Sequence, residues 1–185
     1  MTSGVAVAAI TVPRTPFGKA GNPSIMRIIA LIIALSIGGI IPAAPAQRIM
    51  IDWGGQLGVY IDRYNEWRRT GELVVVDGFC ISACTMVTGL IKPERLCATP
   101  FARLAFHSAA FIDIAGTRTF AREATRIVWH IYPQRLRELL LRHGWQDGMD
   151  HANLIYVEGA ELHTIIRPCT PADMLELNGI PGVNE

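Results

Sequence analysis

A serine and a histidine, two residue types that cooperate in hydrolysis, each lie at the end of an apolar, strand-like run. Ser82 comes after the apolar residues 73–76, three of which are β-branched valines, and precedes an apolar segment that begins at Met86. His107 closes the run at residues 103–106. A serine hydroxyl becomes a good nucleophile when a neighbouring imidazole takes its proton. The pattern predicts a strand, a tight turn and a helix at Ser82, with His107 as a candidate general base.

A third strand-like piece, residues 50–52, leads into the glycine pair Gly54 and Gly55. Attack by a serine creates a tetrahedral intermediate, and its oxyanion needs backbone N–H donors. Gly54 and Ala83 are predicted to supply these donors, with Gly55 as a further candidate. A helix that begins near Ser82 would add partial positive charge at the same place.

Each of these residues also has a purely structural interpretation. A serine that opens a helix is commonly an N-cap, whose oxygen accepts a hydrogen bond from a backbone amide. A histidine at a strand end is commonly a half-buried, hydrogen-bonded side chain, and a glycine pair is commonly a turn. The catalytic prediction therefore depends on the combination of residues.

That combination resembles the Clp peptidases, the protease branch of the ClpP/crotonase superfamily. Residues 51–58 are similar to the glycine turn of those peptidases, although Trp53 stands where the family usually has proline. Ser82 and His107 are 25 residues apart, as the nucleophile and base are in that family.

Other motifs extend the resemblance. Pro100 and Arg103 match the family's Pro-x-x-Arg pattern before the histidine strand. The similarity covers about residues 49–110 and, more loosely, residues 170–180. The Cys-x-Ser-Ala-Cys motif at residues 80–84, followed by a Phe-His strand, is similar to a group of bacterial periplasmic proteins assigned to this superfamily.

The resemblance implies an α/β fold with a ClpP/crotonase-like sheet and crossover helices. It also implies that Ser82 is the nucleophile and His107 the base, and that residues 108–116 border the substrate groove as a strand or loop. Only residues 47–49 precede the glycine strand in the predicted domain, so the first strand-helix unit of the family is expected to be lacking or trimmed.

The family also has an aspartate that orients its histidine, and this chain departs from that pattern. Residues 165–170 occupy the corresponding stretch and contain no acid. Glu161 is the predicted substitute and Glu158 the alternative, although a solvated carboxylate is the ordinary interpretation of both.

The N-terminal part has the pattern of a secretory signal peptide at residues 26–46. Arg27 precedes an uncharged apolar run, and an Ala-x-Ala cleavage site ends at Ala46. Residues 1–25 lack periodicity and are interpreted as a flexible extension or an upstream start. An uncleaved membrane anchor is the alternative, because residues 28–46 carry no charge. The predicted location is periplasmic or secreted.

The remaining 139 residues, 47–185, suffice for one ClpP-like α/β domain with one core. The whole chain has a formal charge of +1, and residues 1–46 hold three cations and no acid, so the domain carries −2. It has no basic stripe, which argues against nucleic acid as a partner. With no phosphate-binding glycine loop and no His/Asp/Glu cluster, no cofactor or metal is predicted. A sheet without its first unit could be completed by a second copy, so a homo-oligomer is an open possibility.

The predicted domain contains all four cysteines of the chain, Cys80, Cys84, Cys97 and Cys169. An even number in an oxidising compartment predicts two disulfides, and three pairings are possible. A four-thiolate metal site is an alternative, but the spacing is a poor match for zinc. A cysteine nucleophile or redox pair is a third interpretation. Because Cys80 and Cys84 flank Ser82, a bridge at either would stiffen the turn that carries it.

The spacing of apolar residues predicts the rest of the scaffold. Residues 56–69 form a crossover helix that Gly71 ends, and residues 120–131 and 133–143 form two helices separated at a proline. Thr170 begins a last helix in a pattern typical of a capping box.

Two functional classes follow. The first is a periplasmic or secreted serine hydrolase, peptidase-like, that acts on a peptide or small ester. The second is a non-catalytic module of the same fold that binds a peptide or an envelope partner. In either class, contact with a membrane is expected only through an uncleaved signal segment.

Overall fold

The computed structural model describes residues 46–149 and 152–179. The predicted extension at residues 1–25 and the predicted signal peptide, except for Ala46, lie outside the described residues. So does any strand-helix unit that would precede the glycine strand. Within the described ranges, no helix is both long enough and apolar enough to span a lipid bilayer.

The described residues alternate between strands and helices. The strands are β1 (Ala46–Asp52), β2 (Leu73–Ile81), β3 (Leu96–Ala98), β4 (Arg103–Phe106), β5 (Ala110–Ile112), β6 (Arg118–Phe120) and β7 (Ile155–Glu158). The α-helices are α1 (Leu57–Thr70), α2 (Val87–Leu90), α3 (Arg122–Ile131), α4 (Gln134–Arg142), α5 (Gly159–Leu162) and α6 (Pro171–Leu177). Short 3-10 helices lie at Ser82–Met86 and Pro93–Arg95.

The main sheet has the order β1-β2-β4-β7, and β3 also pairs with β2. Strands β1, β3 and β4 run parallel to β2, whereas β7 runs antiparallel to β4. Strands β5 and β6 form a separate antiparallel pair. The expected α/β fold with a mostly parallel sheet is therefore confirmed, and α1 is the crossover between β1 and β2.

Strand β2 is the centre of the sheet. Residues 73–76 are fully buried, as expected for a strand covered on both faces. Val74 and Val76 belong to the larger core cluster, whereas Leu73 and Val75 belong to a smaller cluster with Cys97. Helix α6 covers the smaller cluster, because Met174 and Leu177 pack against it.

A bulge in β2 sets the position of the C-terminal part of this strand. Ile49 pairs with Val76 and Ile51 with Phe79, so two residues of β2 lie opposite one of β1. Gly78 is one of the two, and a Cβ atom there would lie 1.9 Å from the Met50 carbonyl oxygen. Glycine is required for this close approach, which carries the end of β2 toward the turn after β1.

The predicted helices agree well with the structure. Helix α1 ends at Thr70, and its C-cap Gly71 has a left-handed φ of 75°. Pro133 caps α4 and separates it from α3, as predicted. The helix predicted from Phe120 begins two residues later, because Phe120 pairs with Ala110 in the β5–β6 hairpin.

The structure selects one of the three disulfide pairings. Cys80 is bonded to Cys84, and Cys97 to Cys169, so no cysteine is free. The four-thiolate metal site and the cysteine nucleophile are therefore wrong, because no thiol remains to act as a ligand or nucleophile. The first bridge brackets Ser82, and the second joins β3 to the segment before α6.

The two disulfides are expected to differ in their effect on stability. A cross-link restricts the unfolded chain more when it closes a longer loop. The sequence separations are 72 residues for Cys97–Cys169 and 4 residues for Cys80–Cys84. Replacing both Cys97 and Cys169 by alanine should lower the free energy of unfolding by about 4 kcal/mol, against about 2 kcal/mol for replacing Cys80 and Cys84.

Guanidinium unfolding of both double variants under oxidising conditions measures this difference. A larger loss for the Cys80 and Cys84 variant would contradict the prediction.

The last helix begins with the predicted capping box. The Asp173 amide donates to the Thr170 hydroxyl at 3.3 Å, and the Thr170 amide donates to the Asp173 carboxylate at 2.7 Å. Arg167 also donates two hydrogen bonds of 2.7 Å to this carboxylate. The hydrogen bonds from Arg167 are the main reason why the pKa of Asp173 lies far below its usual value, and bonds from Thr170 act in the same direction against the effect of burial.

Asp173→Asn is expected to lower the free energy of unfolding at pH 7 by about 2 kcal/mol, because the variant loses a charge-assisted pair. A depressed carboxyl pKa stabilises the folded state above the unfolded pKa of about 3.9, and this contribution is lost as the pH falls. The difference between wild type and variant should therefore shrink below about pH 4. Denaturant unfolding between pH 7 and pH 2.5 measures it, and a difference that does not change with pH would contradict the prediction.

Candidate active site

The predicted nucleophile, base and glycine turn line a single groove. Gly54, Gly55, Ser82 and His107 all contribute to its wall, and its volume is about 840 Å³. Volumes of this size are typical of small-molecule and peptide sites. The fold thus places these four residues on one side of the sheet, at the ends of the strands that carry them.

Ser82 lies at a strained turn at the end of β2. Its φ is 60°, and no other described residue except glycine has a positive φ. A left-handed conformation costs energy for a residue with a Cβ atom, so it persists where the surroundings enforce it. Nucleophiles at sharp strand-to-helix turns are a recurring arrangement in hydrolases. The backbone of Ser82 is therefore unlike that of an ordinary helix cap.

Buried hydrogen bonds hold the turn in this conformation. The Thr85 hydroxyl donates to the Ser82 carbonyl at 2.6 Å and is itself 2.6 Å from the Tyr132 hydroxyl. The Tyr64 hydroxyl donates to the Cys84 carbonyl at 2.9 Å. Burial raises the pKa of both tyrosines, so their hydroxyls stay protonated. Together with the Cys80–Cys84 bridge, these hydrogen bonds hold the turn in its conformation.

The helical segment after Ser82 is short and begins as a 3-10 helix. A 3-10 helix covers Ser82–Met86, and the four-residue α2 follows it and ends at Leu90. Gly89 lets this segment approach α3 closely, since a Cβ atom at Gly89 would lie 1.8 Å from the Ile131 carbonyl oxygen. The predicted contribution of a helix dipole is therefore small, and hydrogen-bond donors carry more weight at this site.

Gly54 packs directly against the Ser82 turn. A Cβ atom at Gly54 would lie 2.7 Å from both the Ile81 carbonyl oxygen and the Ser82 Cβ, and 2.9 Å from the Ala83 nitrogen. Gly54 also has a φ of 79°. The glycine turn after β1 and the serine turn after β2 are thus in direct contact.

The amide of Gly54, a predicted oxyanion donor, already has an acceptor in this structure. It donates to the Asp52 carboxylate at 2.9 Å, because the aspartate side chain closes a turn over its own backbone. The Gly55 amide is the next donor along this turn. Ala83 lies in the first turn of the 3-10 helix, where amides have no acceptor within the helix. Gly55 and Ala83 are the better candidate donors.

Asp52 is held in place by residues of α1. The Tyr60 hydroxyl donates to the same carboxylate oxygen as the Gly54 amide, and Arg63 approaches the other oxygen at 3.4 Å. Burial and the hydrogen bond to Asp52 raise the pKa of Tyr60 to about 12. Tyr60 therefore remains a donor at physiological pH. This role of Asp52 was not predicted, although an aspartate two residues before a glycine is a sequence signal for such a turn.

His107 is half-buried at the end of β4, with one ring nitrogen on a backbone carbonyl. Its Nδ1 lies 2.7 Å from the Ser108 oxygen, and a carbonyl can only accept, so Nδ1 is the donor. In the neutral ring, the lone pair is then on Nε2, as a general base requires. The Ser108 amide donates to the Met149 carbonyl at 2.9 Å and anchors this segment.

The two acids predicted to orient His107 are both paired elsewhere. Glu161 Oε1 lies 2.8 Å from His143 Nε2, and Glu158 forms a 2.9 Å ion pair with Arg103. The structure gives the Glu161 prediction no support, and the same holds for Glu158. Glu158 belongs to β7, whose pairing with β4 places it opposite Arg103.

No three His, Cys, Asp or Glu side chains in residues 46–149 and 152–179 converge in a way that could hold a metal ion.

Comparison with known proteins gives matches in structure alone. No family model and no curated protein matches the sequence. The chain is similar in structure to a ClpP1 mutant from Listeria monocytogenes, with 16% identity and a TM-score of 0.41 over 77% of this chain and 78% of that chain. It is also similar to a protein described only as an enzyme, with 9% identity and a TM-score of 0.41 over 76% and 82% of the two chains. A peptidase from Plasmodium falciparum is 9% identical, with a TM-score of 0.40 over 76% and 84%. At this identity a structural likeness concerns the fold alone.

Proposed function

We propose that the protein is a serine hydrolase of the peptidase type, with Ser82 as nucleophile and His107 as general base and acid. The proposed oxyanion donors are the amides of Gly55 and Ala83. The groove would receive a peptide or a small ester.

The strained backbone of Ser82 within the shared groove carries this proposal. An N-cap serine has ordinary extended backbone angles, whereas Ser82 has a φ of 60° and is fixed by a disulfide and two buried tyrosines. Strain of this kind is retained where it serves a function. The contact with Gly54 and the shared wall with His107 add the partners that a nucleophile needs.

The reaction follows from the groups present. His107 Nε2 would take the Ser82 proton as the hydroxyl oxygen attacks the carbonyl carbon, and the Gly55 and Ala83 amides would stabilise the oxyanion. His107 would then protonate the leaving group, and water would hydrolyse the acyl-enzyme. The Ser108 carbonyl would fix the tautomer of His107, as a carboxylate does in other triads.

We further propose that the protein acts outside the cytoplasm. Both disulfides need an oxidising compartment to form and persist. The predicted signal sequence at residues 26–46 points the same way. Comparing the N-terminus of exported protein with the predicted cleavage after Ala46 tests this location.

A non-catalytic binding module is the second candidate. One observation favours it: both acids predicted to orient His107 have other partners. Glu161 contacts His143, and Glu158 forms an ion pair with Arg103. Loss of an orienting carboxylate lowers the activity of a triad by about 10⁴-fold. In this case the groove would bind a peptide without cleaving it.

Labelling by a fluorophosphonate probe separates the two candidates. Oxidised, purified protein should form a covalent adduct, and mass spectrometry should locate it in the proteolytic fragment that contains Ser82. Ser108 is the matched internal control, because it is buried and its hydroxyl accepts the Gly148 amide at 3.0 Å. Absence of an adduct, together with no cleavage of a broad peptide and ester panel, would replace the hydrolase proposal with the binding module.

A further inference from the structure

The chemical character of the groove narrows the substrate class, on the premise that the proposed hydrolase function holds. Its wall is mostly apolar and includes Trp53, Leu57, Phe111, Ile112 and Leu154. Trp53, Phe111 and Ile112 are between 59% and 71% exposed, so large apolar surface is available for contact. Such a wall fits a substrate whose acyl part, the part that becomes bonded to the serine, is apolar.

Arg118 supplies a positive charge in this apolar setting. It is the one permanently charged side chain among the described residues that line the groove, and none of those residues is acidic. Arg118 begins β6 and pairs with Ile112 across the hairpin. Among the ion pairs of the described residues, none involves Arg118. Its guanidinium is therefore available to a carboxylate of a ligand.

A second, smaller cavity shares His107 and Arg118 with the groove. It has a volume of about 220 Å³, and His107 and Arg118 line it together with Phe120 and Met149. Ser82 lines the larger groove but is not among the described residues that line the smaller cavity. The general acid protonates the leaving group, so the leaving group lies on the side of His107.

We propose that the site removes single residues from the C-termini of peptides, with Arg118 binding the free carboxylate of the leaving residue. The apolar groove would hold the preceding residue, and the smaller cavity the leaving one. The Ser82 oxygen would bond to the carbonyl carbon while the C–N bond breaks, and the serine proton would pass through His107 to the leaving nitrogen. Water would then hydrolyse the ester and release the shortened peptide.

The test compares benzyloxycarbonyl-phenylalanyl-leucine with its C-terminal amide. These substrates differ in the carboxylate alone. We expect kcat/KM to be about 10-fold higher for the free acid, as one charge-assisted contact would give. Arg118→Gln should raise KM for the acid about 10-fold and so remove the preference for the acid over the amide, whereas Arg118→Lys should keep part of this preference.

Arg122→Gln is the matched control. Arg122 is an exposed arginine four residues away whose guanidinium lies over the Phe120 ring, and it is not part of either described wall. Its replacement should leave the preference for the acid intact. Equal loss of preference in both arginine variants would overturn the proposal.

Binding to the Ser82→Ala protein gives a readout that does not need turnover. Calorimetry should find the acid bound about 10-fold more tightly than the amide, and Arg118→Gln in the same background should abolish this difference. If the fluorophosphonate labels Ser82 but acid and amide are bound and cleaved equally, the carboxylate inference fails and the hydrolase proposal stands. If the acid is bound preferentially but nothing is cleaved or labelled, both the exopeptidase inference and the hydrolase proposal fail.

Discussion

Ser82→Ala is expected to lower hydrolysis of the best substrate by at least about 10³-fold, because the nucleophile and its covalent intermediate are lost. The folded structure should be retained. The Ser82 side chain is only partly buried, and the turn is fixed by the Thr85 and Tyr64 hydroxyls, which donate to its backbone carbonyls. Steady-state kinetics with circular dichroism as a folding control measures both effects.

His107→Ala should cost about as much as the serine substitution, and the double variant should be little worse than either single one. A nucleophile and its base act as a unit, so their effects on kcat are strongly non-additive. His130→Ala is the control, since His130 is an exposed histidine in the last turn of α3. Independent, additive losses at Ser82 and His107 would contradict a shared catalytic role.

The strand ends that carry the site could be predicted from the sequence because their signals are local. The buried run at residues 73–76, the glycine pair and the His107 strand each follow from periodicity or turn chemistry. The fold then brings them into one groove because parallel strands end on the same edge of a sheet. The α1 crossover and the Pro133 break were predicted for the same local reasons.

Long-range features could not be predicted in this way. The pairing of Cys97 with Cys169 and of Glu161 with His143 depends on contacts between residues far apart in the chain. Strand β7 has four residues with alternating burial and gives too short a pattern to distinguish it from a loop. The position of Arg118 in the groove depends on the β5–β6 hairpin, whose exposed residues show no clear alternation.

The same distinction applies to the oxyanion donors. The sequence marks both glycines of the turn as candidates, but the choice between their amides depends on the Asp52 side chain. That carboxylate accepts a hydrogen bond from the Gly54 amide, which makes Gly55 the better candidate donor. Gly54 instead has a steric role, since it allows the glycine turn to touch the turn that carries Ser82.

Gly54→Ala is therefore expected to lower the free energy of unfolding by about 2–5 kcal/mol and to abolish activity in the protein that still folds. The new methyl group would meet the Ile81 carbonyl oxygen and the Ser82 Cβ, each at 2.7 Å, in a backbone conformation with φ of 79°. Both atoms belong to the turn that carries the nucleophile, and neither can move without moving Ser82. Denaturant unfolding and fluorophosphonate labelling measure the two losses.

Gly71→Ala separates the steric contact from the backbone strain. Gly71 has a similar φ of 75°, but a Cβ atom there would meet nothing within 4 Å. Its replacement should cost about 1 kcal/mol, the penalty of a left-handed alanine, and leave labelling of Ser82 unchanged. Any greater loss in Gly54→Ala then measures the contact between the two turns. If both variants lose the same stability and both keep full labelling, the contact between Gly54 and the Ser82 turn does not position the nucleophile.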